Sequence, residues 1–127
     1  MARKNIMIVE NDIIIANDII SLLEDEGYTV CCAVTSGEEA VESAVRHRPD
    51  LVLMNVDLFG KMTGIEAAEF IVKNTHTPII FVSAYPESYV MNELSTAGSF
   101  RYVSKPVDPT ELLSSIEKAL SNDKGTQ

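Results

Sequence analysis

Five polar side chains follow short apolar runs: Glu10 and Asn11 after Ile6–Val9, Asn55 after Leu51–Met54, Ser83 after Ile79–Val82, and Lys105 shortly after Phe100–Val103. Together they offer one carboxylate, two amides, one hydroxyl and one ammonium. Glu10 and Lys105 can form an ion pair. Asn55 can hydrogen-bond Lys105 or backbone groups, Asn11 can cap a helix, and Ser83 can close a turn. Tyr102, inside the last run, can be a core aromatic with its hydroxyl in water. Whether these groups act together depends on the elements that carry them.

Strand-like and helix-like patterns alternate along the chain. Ile6–Val9 is the first strand. Asn11 and Asp12 follow as candidate caps, and Ile15, Ile19, Leu22 and Leu23 keep helical spacing up to a stop at Gly27. Tyr28 to Val34 is the second strand. Ser36 with Glu39 predicts a capping box for a helix running to about His47. Leu51–Met54 is apolar without alternation, as a strand buried on both faces must be. Thr63 with Glu66 predicts a second capping box. The fourth strand is Ile79–Val82, with Pro86 in the first turn of the next helix and Gly98 ending it. Phe100–Val103 is the fifth strand. Asp108 and Pro109 open the last helix, which carries an apolar stripe of Leu112, Leu113, Ile116 and Leu120.

Strand-helix units in series imply a parallel sheet covered on both faces. The expected fold is an α/β, flavodoxin-like (βα)5 doubly wound domain with strand order 2-1-3-4-5. One domain is expected over residues 1–127, with an ordered core of about 4–121. Ligands in such folds sit at the carboxyl ends of the strands, which is where Glu10, Asn11, Asn55, Ser83 and Lys105 fall.

The net charge is -9, from 10 basic and 19 acidic residues. Such a surface argues against a nucleic-acid backbone as partner and fits protein partners. The apolar runs are too short to span a bilayer, and Met1-Ala2-Arg3-Lys4 does not open a signal peptide, so a cytoplasmic protein is expected. Cys31 and Cys32 are neighbours on a strand, which should point them to opposite faces. They are read as two reduced thiols packing as small hydrophobes. His47 and His76 fall at helix ends and are assigned no role.

The strand-end set resembles the active site of response-regulator receiver domains of two-component signalling, and the resemblance covers nearly the whole chain. Val9-Glu10-Asn11 resembles the family's acidic pair. Pro49 to Asn55 resembles the segment leading into its phosphoacceptor, and Gly60 to Glu66 the loop and helix start beyond it. Ser83-Ala84, Tyr102 and Lys105-Pro106 resemble the switch hydroxyl with its small neighbour, the switch aromatic and the lysine-proline pair. The resemblance implies an aspartyl phosphate formed beside a magnesium ion. It also implies a lysine on the phosphate and a Ser–aromatic pair that moves on phosphorylation.

Two positions depart from that pattern. Asn55 stands at the phosphoacceptor position and Asn11 at one metal-ligand position. An amide oxygen is a weak nucleophile, and magnesium prefers carboxylates. The resemblance therefore implies a phosphorelay protein-interaction module, not an enzyme, deficient in phosphorylation at the usual site. Magnesium should be weakly bound or absent, with Glu10, the weakened Asn11 and the Asp57 backbone carbonyl as its ligands. The expected partner is a sensor kinase or output domain on the face of helix four, strand five and helix five, including Val90, Met91, Leu94, Tyr102 and Val107; the alternative reading makes Val90 and Leu94 core and the face merely solvated. With no phosphate to draw Ser83 inward, Tyr102 is expected outward. The Lys105-Pro106 bond is expected to be cis.

Three rival readings follow from the same residues. Asp57 or another nearby acid could be the working phosphoacceptor. Asn55-Val56-Asp57 has the look of the haloacid-dehalogenase-type phosphatase motif, but it follows the third strand instead of the first and lacks the nucleophile. A flavin-binding electron carrier needs a Gly/Ser/Thr-rich phosphate loop after strand one, where this chain has acidic Glu10-Asn11-Asp12.

Overall fold

A computed structural model describes residues 3–122; the expectations for Met1, Ala2 and positions 123–127 lie outside the described residues. Its elements are β1 (Asn5–Val9), α1 (Ile13–Asp25), β2 (Thr29–Val34), α2 (Gly37–His47), β3 (Leu51–Met54), α3 (Gly64–Thr75), β4 (Ile79–Ser83), α4 (Glu87–Glu93), β5 (Phe100–Ser104) and α5 (Pro109–Asn122). The strands form one parallel sheet in the order β2-β1-β3-β4-β5.

Alternation along the strands builds a core on each face. Ile6, Ile8, Leu51, Leu53, Ile80 and Val82 point to a layer closed by α1 and α5 through Ile19, Leu23, Leu112 and Ile116. Met7, Val9, Val52, Met54, Ile79 and Phe81 point to the other, closed by α2, α3 and α4 through Ala40, Ala44, Ala68, Ile71 and Val90. Val90 is fully buried, so the expectation that it belongs to a partner face is corrected. A seven-residue helix has no other side chain that deep in the core, and Val90 is what anchors α4 to the sheet.

The helix starts are set by local chemistry. Asp12, not Asn11, caps α1: its carboxylate accepts from Ile14 N at 3.0 Å and Ile15 N at 3.3 Å. Asn11 is thereby freed to face the sheet edge. Replacing Asp12 with alanine is expected to cost about 1 kcal/mol of stability by chemical denaturation; Asn11→Ala should leave the cap intact and cost less. Thr63 and Glu66 complete the capping box of α3. The one expected at α2 is half formed. Ser36 accepts from Glu39 N, but the Glu39 carboxylate reaches past Ser36 to Thr35 N at 3.1 Å. Ser36 itself forms an isolated parallel bridge to Phe59, two residues beyond the end of β2.

Two expectations near α4 change. Pro86 is its cap residue and not part of the first turn, and the helix ends at Glu93, well before Gly98. The Glu69 carboxylate on α3 accepts from Thr96 N and Ser95 Oγ, both at 3.1 Å, and holds the chain there in a non-helical path. Gly98 instead lies against Val72, whose Cγ1 would meet an added Cβ at 2.5 Å.

The expected orientation of the cysteines is also corrected, while both remain free thiols packed against the core. The β1–β2 register breaks between Ile6, paired with Val30, and Met7, paired with Cys32. Cys31 is the extra residue, and the bulge cancels the alternation that would part the two side chains. Their Sγ atoms lie 3.3 Å apart. His47 and His76 sit exposed at helix ends, as expected.

Candidate functional site

Parallel strands deliver their carboxyl ends to one edge of the sheet, so residues far apart in sequence converge there. Glu10 follows β1, Asn55 follows β3, Ser83 ends β4, and Lys105 follows β5. Glu10, Asn55 and Ser83 are among the few buried polar residues of the described chain, 4%, 8% and 1% exposed. Buried polar groups must find partners, and these find one another.

Lys105 Nζ lies 2.9 Å from one Glu10 carboxylate oxygen and donates to Asn55 Oδ1 at 3.4 Å. The other Glu10 oxygen accepts from Asp12 N at 3.0 Å. The Lys105-Pro106 peptide is cis, as expected. Asn55 Nδ2 faces three oxygens. It donates to the Asp57 carbonyl at 2.8 Å, Asn11 Oδ1 at 2.9 Å and Glu10 Oε2 at 3.3 Å. The orientation of this amide follows from the charges: its oxygen meets an ammonium and its nitrogen meets acceptors.

The Asn11 amide is torn between two arrangements. Its oxygen accepts from Asn55 but then faces the Asp57 carbonyl and Glu10. Turned over, its nitrogen donates to those two, at 3.1 and 3.2 Å, and meets the Asn55 amide nitrogen instead. Oxygen acceptors are crowded around this point, and one amide nitrogen is the donor they share. Among the described residues no group of three or more His, Cys, Asp or Glu side chains is placed to hold a metal ion.

The modest roles read for Glu10, Lys105, Asn55 and Ser83 are realised, and all four residues share one pocket; the cap read for Asn11 falls to Asp12. Glu10 and Lys105 are an ion pair, Asn55 bonds both Lys105 and backbone, and Ser83 Oγ closes a turn by accepting from Tyr85 N at 2.9 Å. Tyr102 departs from its outward expectation. It is half-buried against the core, and its hydroxyl donates to the carbonyls of Ser83 (3.3 Å) and Tyr85. Burial holds its phenol above the ordinary value. Covering apolar surface while satisfying the hydroxyl on backbone outweighs leaving the ring in water.

Tyr85 was not visible as a site residue in the sequence. Its hydroxyl donates to both Asp57 carboxylate oxygens, at 3.1 and 3.2 Å, which also raises its own pKa. Its backbone carbonyl takes the Tyr102 hydroxyl, and its N–H the Ser83 hydroxyl oxygen. One residue thus ties the pocket rim to the β5 aromatic. The available signal was an aromatic two residues past the strand-end hydroxyl. The Asp57 side chain is exposed at the rim and turned to Tyr85, while its carbonyl faces the pocket.

A doubly wound sheet with an acid, a hydroxyl and a cis-proline-linked lysine at its carboxyl edge defines the receiver class. Residues 6–117 match the response regulator receiver domain family, and the chain belongs to that family. The transcriptional regulatory protein PdtaR of Mycobacterium tuberculosis is 33% identical over 118 residues, which cover 93% of this chain and 57% of PdtaR. The polar-differentiation response regulator DivK of Brucella anthropi is 29% identical over 94% of this chain and 98% of its own length. The receiver domain of a modulated diguanylate cyclase from Desulfovibrio desulfuricans superposes with a TM-score of 0.84 at 31% identity, covering 97% of this chain and 98% of that one. The chain spans about half the length of curated relatives such as PdtaR.

Proposed function

We propose that this receiver domain acts as a protein-interaction module that does not take up phosphate at position 55. The observation that carries this reading is the Asn55 amide. Its nitrogen donates to the Asp57 carbonyl and toward Glu10, and its oxygen accepts from Lys105. A carboxylate at that position would confront Glu10 and the Asp57 carbonyl with like charge or lone pairs, and a cation would be needed between them. The amide removes that need.

The donor set also suits magnesium poorly. One carboxylate, one amide and one backbone carbonyl remain, and the second amide presents a nitrogen. A small hard cation favours oxygens, carboxylates above all. The reading therefore includes weak or absent magnesium binding and no catalytic turnover.

The partner is a sensor kinase or an output domain, engaged through α4, β5 and α5. Met91, Leu94, Tyr102 and Val107 are half-buried there. Exposed Tyr85 and Tyr89 stack beside them with ring centroids 5.1 Å apart, and aromatics are enriched at interfaces. PdtaR is a transcriptional regulatory protein and PhyR of Methylorubrum extorquens a phyllosphere-induced regulator. Their similarity supports a regulatory role, and the net charge of -9 favours protein over nucleic acid as the partner. No helix of the described residues is long and apolar enough to cross a membrane, and the proposed compartment is the cytoplasm.

Incubation with acetyl phosphate and magnesium, read by intact mass, tests this reading. The mass is expected to stay unchanged. A stoichiometric, base-labile phosphoryl adduct would sink it. An adduct mapped to Asp57 would establish the rival acceptor, which must first break the Tyr85 hydrogen bonds.

A further inference from the structure

The bulge in β2 does more than interrupt a ladder. It sets two thiols side by side, with Sγ atoms 3.3 Å apart. Both cysteines are free and half-buried. They lie at the margin of the core layer under α2, alongside Val34 and Val41. β2 is the edge strand of the sheet, so one side of the pair is not walled by a further strand. Burial, and then the contact with Cys32, hold the Cys31 thiol well above its ordinary pKa. The Cys31 thiol is therefore stored protonated.

A direct disulfide fits this pair badly. Adjacent Cα atoms are about 3.8 Å apart across a trans peptide, whereas disulfides favour roughly 4.4–6.8 Å. A single atom bridging the two sulfurs avoids that contraction. Softness selects which atom, since thiols favour soft centres. Zinc wants four ligands in a tetrahedron, and no group of three or more His, Cys, Asp or Glu is available among the described residues. Two-coordinate soft ions such as copper(I) favour a near-linear arrangement, with the sulfurs on opposite sides. A trivalent, pyramidal centre holds two sulfurs at close to a right angle and needs only one further substituent.

We propose that Cys31 and Cys32 form a chelating site for a trivalent mono-organyl arsenical, with the organic group as the third substituent. Two As–S bonds form while two As–O and two S–H bonds break. Each thiol proton leaves on an arsenic hydroxyl, so two waters are released. Arsenic stays trivalent and neither sulfur is oxidised, so no oxidant or reductant enters. Because the reacting groups are thiols and the hydroxyls carry the protons away, a high thiol pKa does not block the product. The site stands on β2, apart from the Asn55 pocket, and its existence does not depend on the reading of that pocket.

The test uses phenylarsine oxide and the whole folded chain. Intact mass should show one phenylarsenic adduct per chain. That adduct should survive an excess of glutathione and be removed by 2,3-dimercaptopropanol, because only a dithiol can compete with a chelate. Cys31→Ser and Cys32→Ser should each reduce the glutathione-resistant fraction from nearly complete to nearly none, with circular dichroism confirming the fold. Loss of the wild-type adduct in glutathione overturns the proposal without recourse to any variant. So does a resistant adduct that persists in either folded single variant.

Discussion

Changing Asn11 and Asn55 together to aspartate is expected to convert a chain inert toward acetyl phosphate into one that takes up one phosphoryl group. The rest of the site is already in position. Lys105 lies 2.9 Å from Glu10 and points at position 55, and Ser83 ends the neighbouring strand. The new carboxylate at position 55 would attack the phosphorus, form an acyl phosphate and release acetate. It would also replace the amide nitrogen now facing Glu10, Asn11 and the Asp57 carbonyl. Three carboxylates around one point repel one another unless a cation is present.

The double variant should therefore be less stable than the wild type without magnesium and gain stability as magnesium is added. The gain is about 2.7 kcal/mol at a hundred times the dissociation constant, whereas the wild type should hardly respond. Denaturation midpoints against magnesium and intact mass after acetyl phosphate measure the two halves. A double variant that folds and responds to magnesium but takes up no phosphate would show that the defect lies beyond these two residues.

Gly64→Ala is expected to be the most damaging single methyl in the chain. Gly64 is the first residue of α3, and its N–H donates to the Val56 carbonyl at 2.8 Å. A Cβ there would lie 1.8 Å from the Asn55 carbonyl oxygen and 2.9 Å from Val56 Cα. Both are backbone atoms at the end of a buried strand, so no side chain can swing aside. The cost should reach about 3 kcal/mol, the upper part of the overpacking range. It should also disturb the Asn55 amide signals, because the clash is with that residue's own carbonyl. Gly27→Ala is the control. Gly27 has φ +92° but open space around it, so only the left-handed backbone penalty of about 1–2 kcal/mol applies. A Gly64→Ala variant as stable as wild type would mean that α3 does not press on the strand end in this way.

Much of this protein was written in local pattern. Doubly apolar runs such as Leu51–Met54 and Ile79–Val82 can only be strands covered on both faces, and their alternation with amphipathic segments fixes a parallel sheet. That topology places Glu10, Asn55, Ser83 and Lys105 at one edge, so the membership of the pocket was legible. The loss of a carboxylate at positions 11 and 55 was legible too, because it is a matter of residue type. What could not be read was any outcome decided by competition between distant groups. Asp12 took the cap and released Asn11. Glu69 on α3 captured Thr96 and Ser95 and ended α4 early.

Sequence alone thus determined the parallel sheet and the composition of the pocket, because both follow from periodicity and chain connectivity, and the strand order 2-1-3-4-5 expected of such a fold is the one found. The tertiary structure decided how those groups are joined. The Asn55 amide turns its nitrogen toward Glu10 and the Asp57 carbonyl because Lys105 claims its oxygen. Tyr102 packs inward because its hydroxyl finds carbonyls of the β4–α4 loop. Cys31 and Cys32 come to one side because the pairing of β2 with β1 slips by one residue. Hydrogen-bond orientation, ring placement and strand register are each set by partners remote in the chain, and local propensity does not encode them.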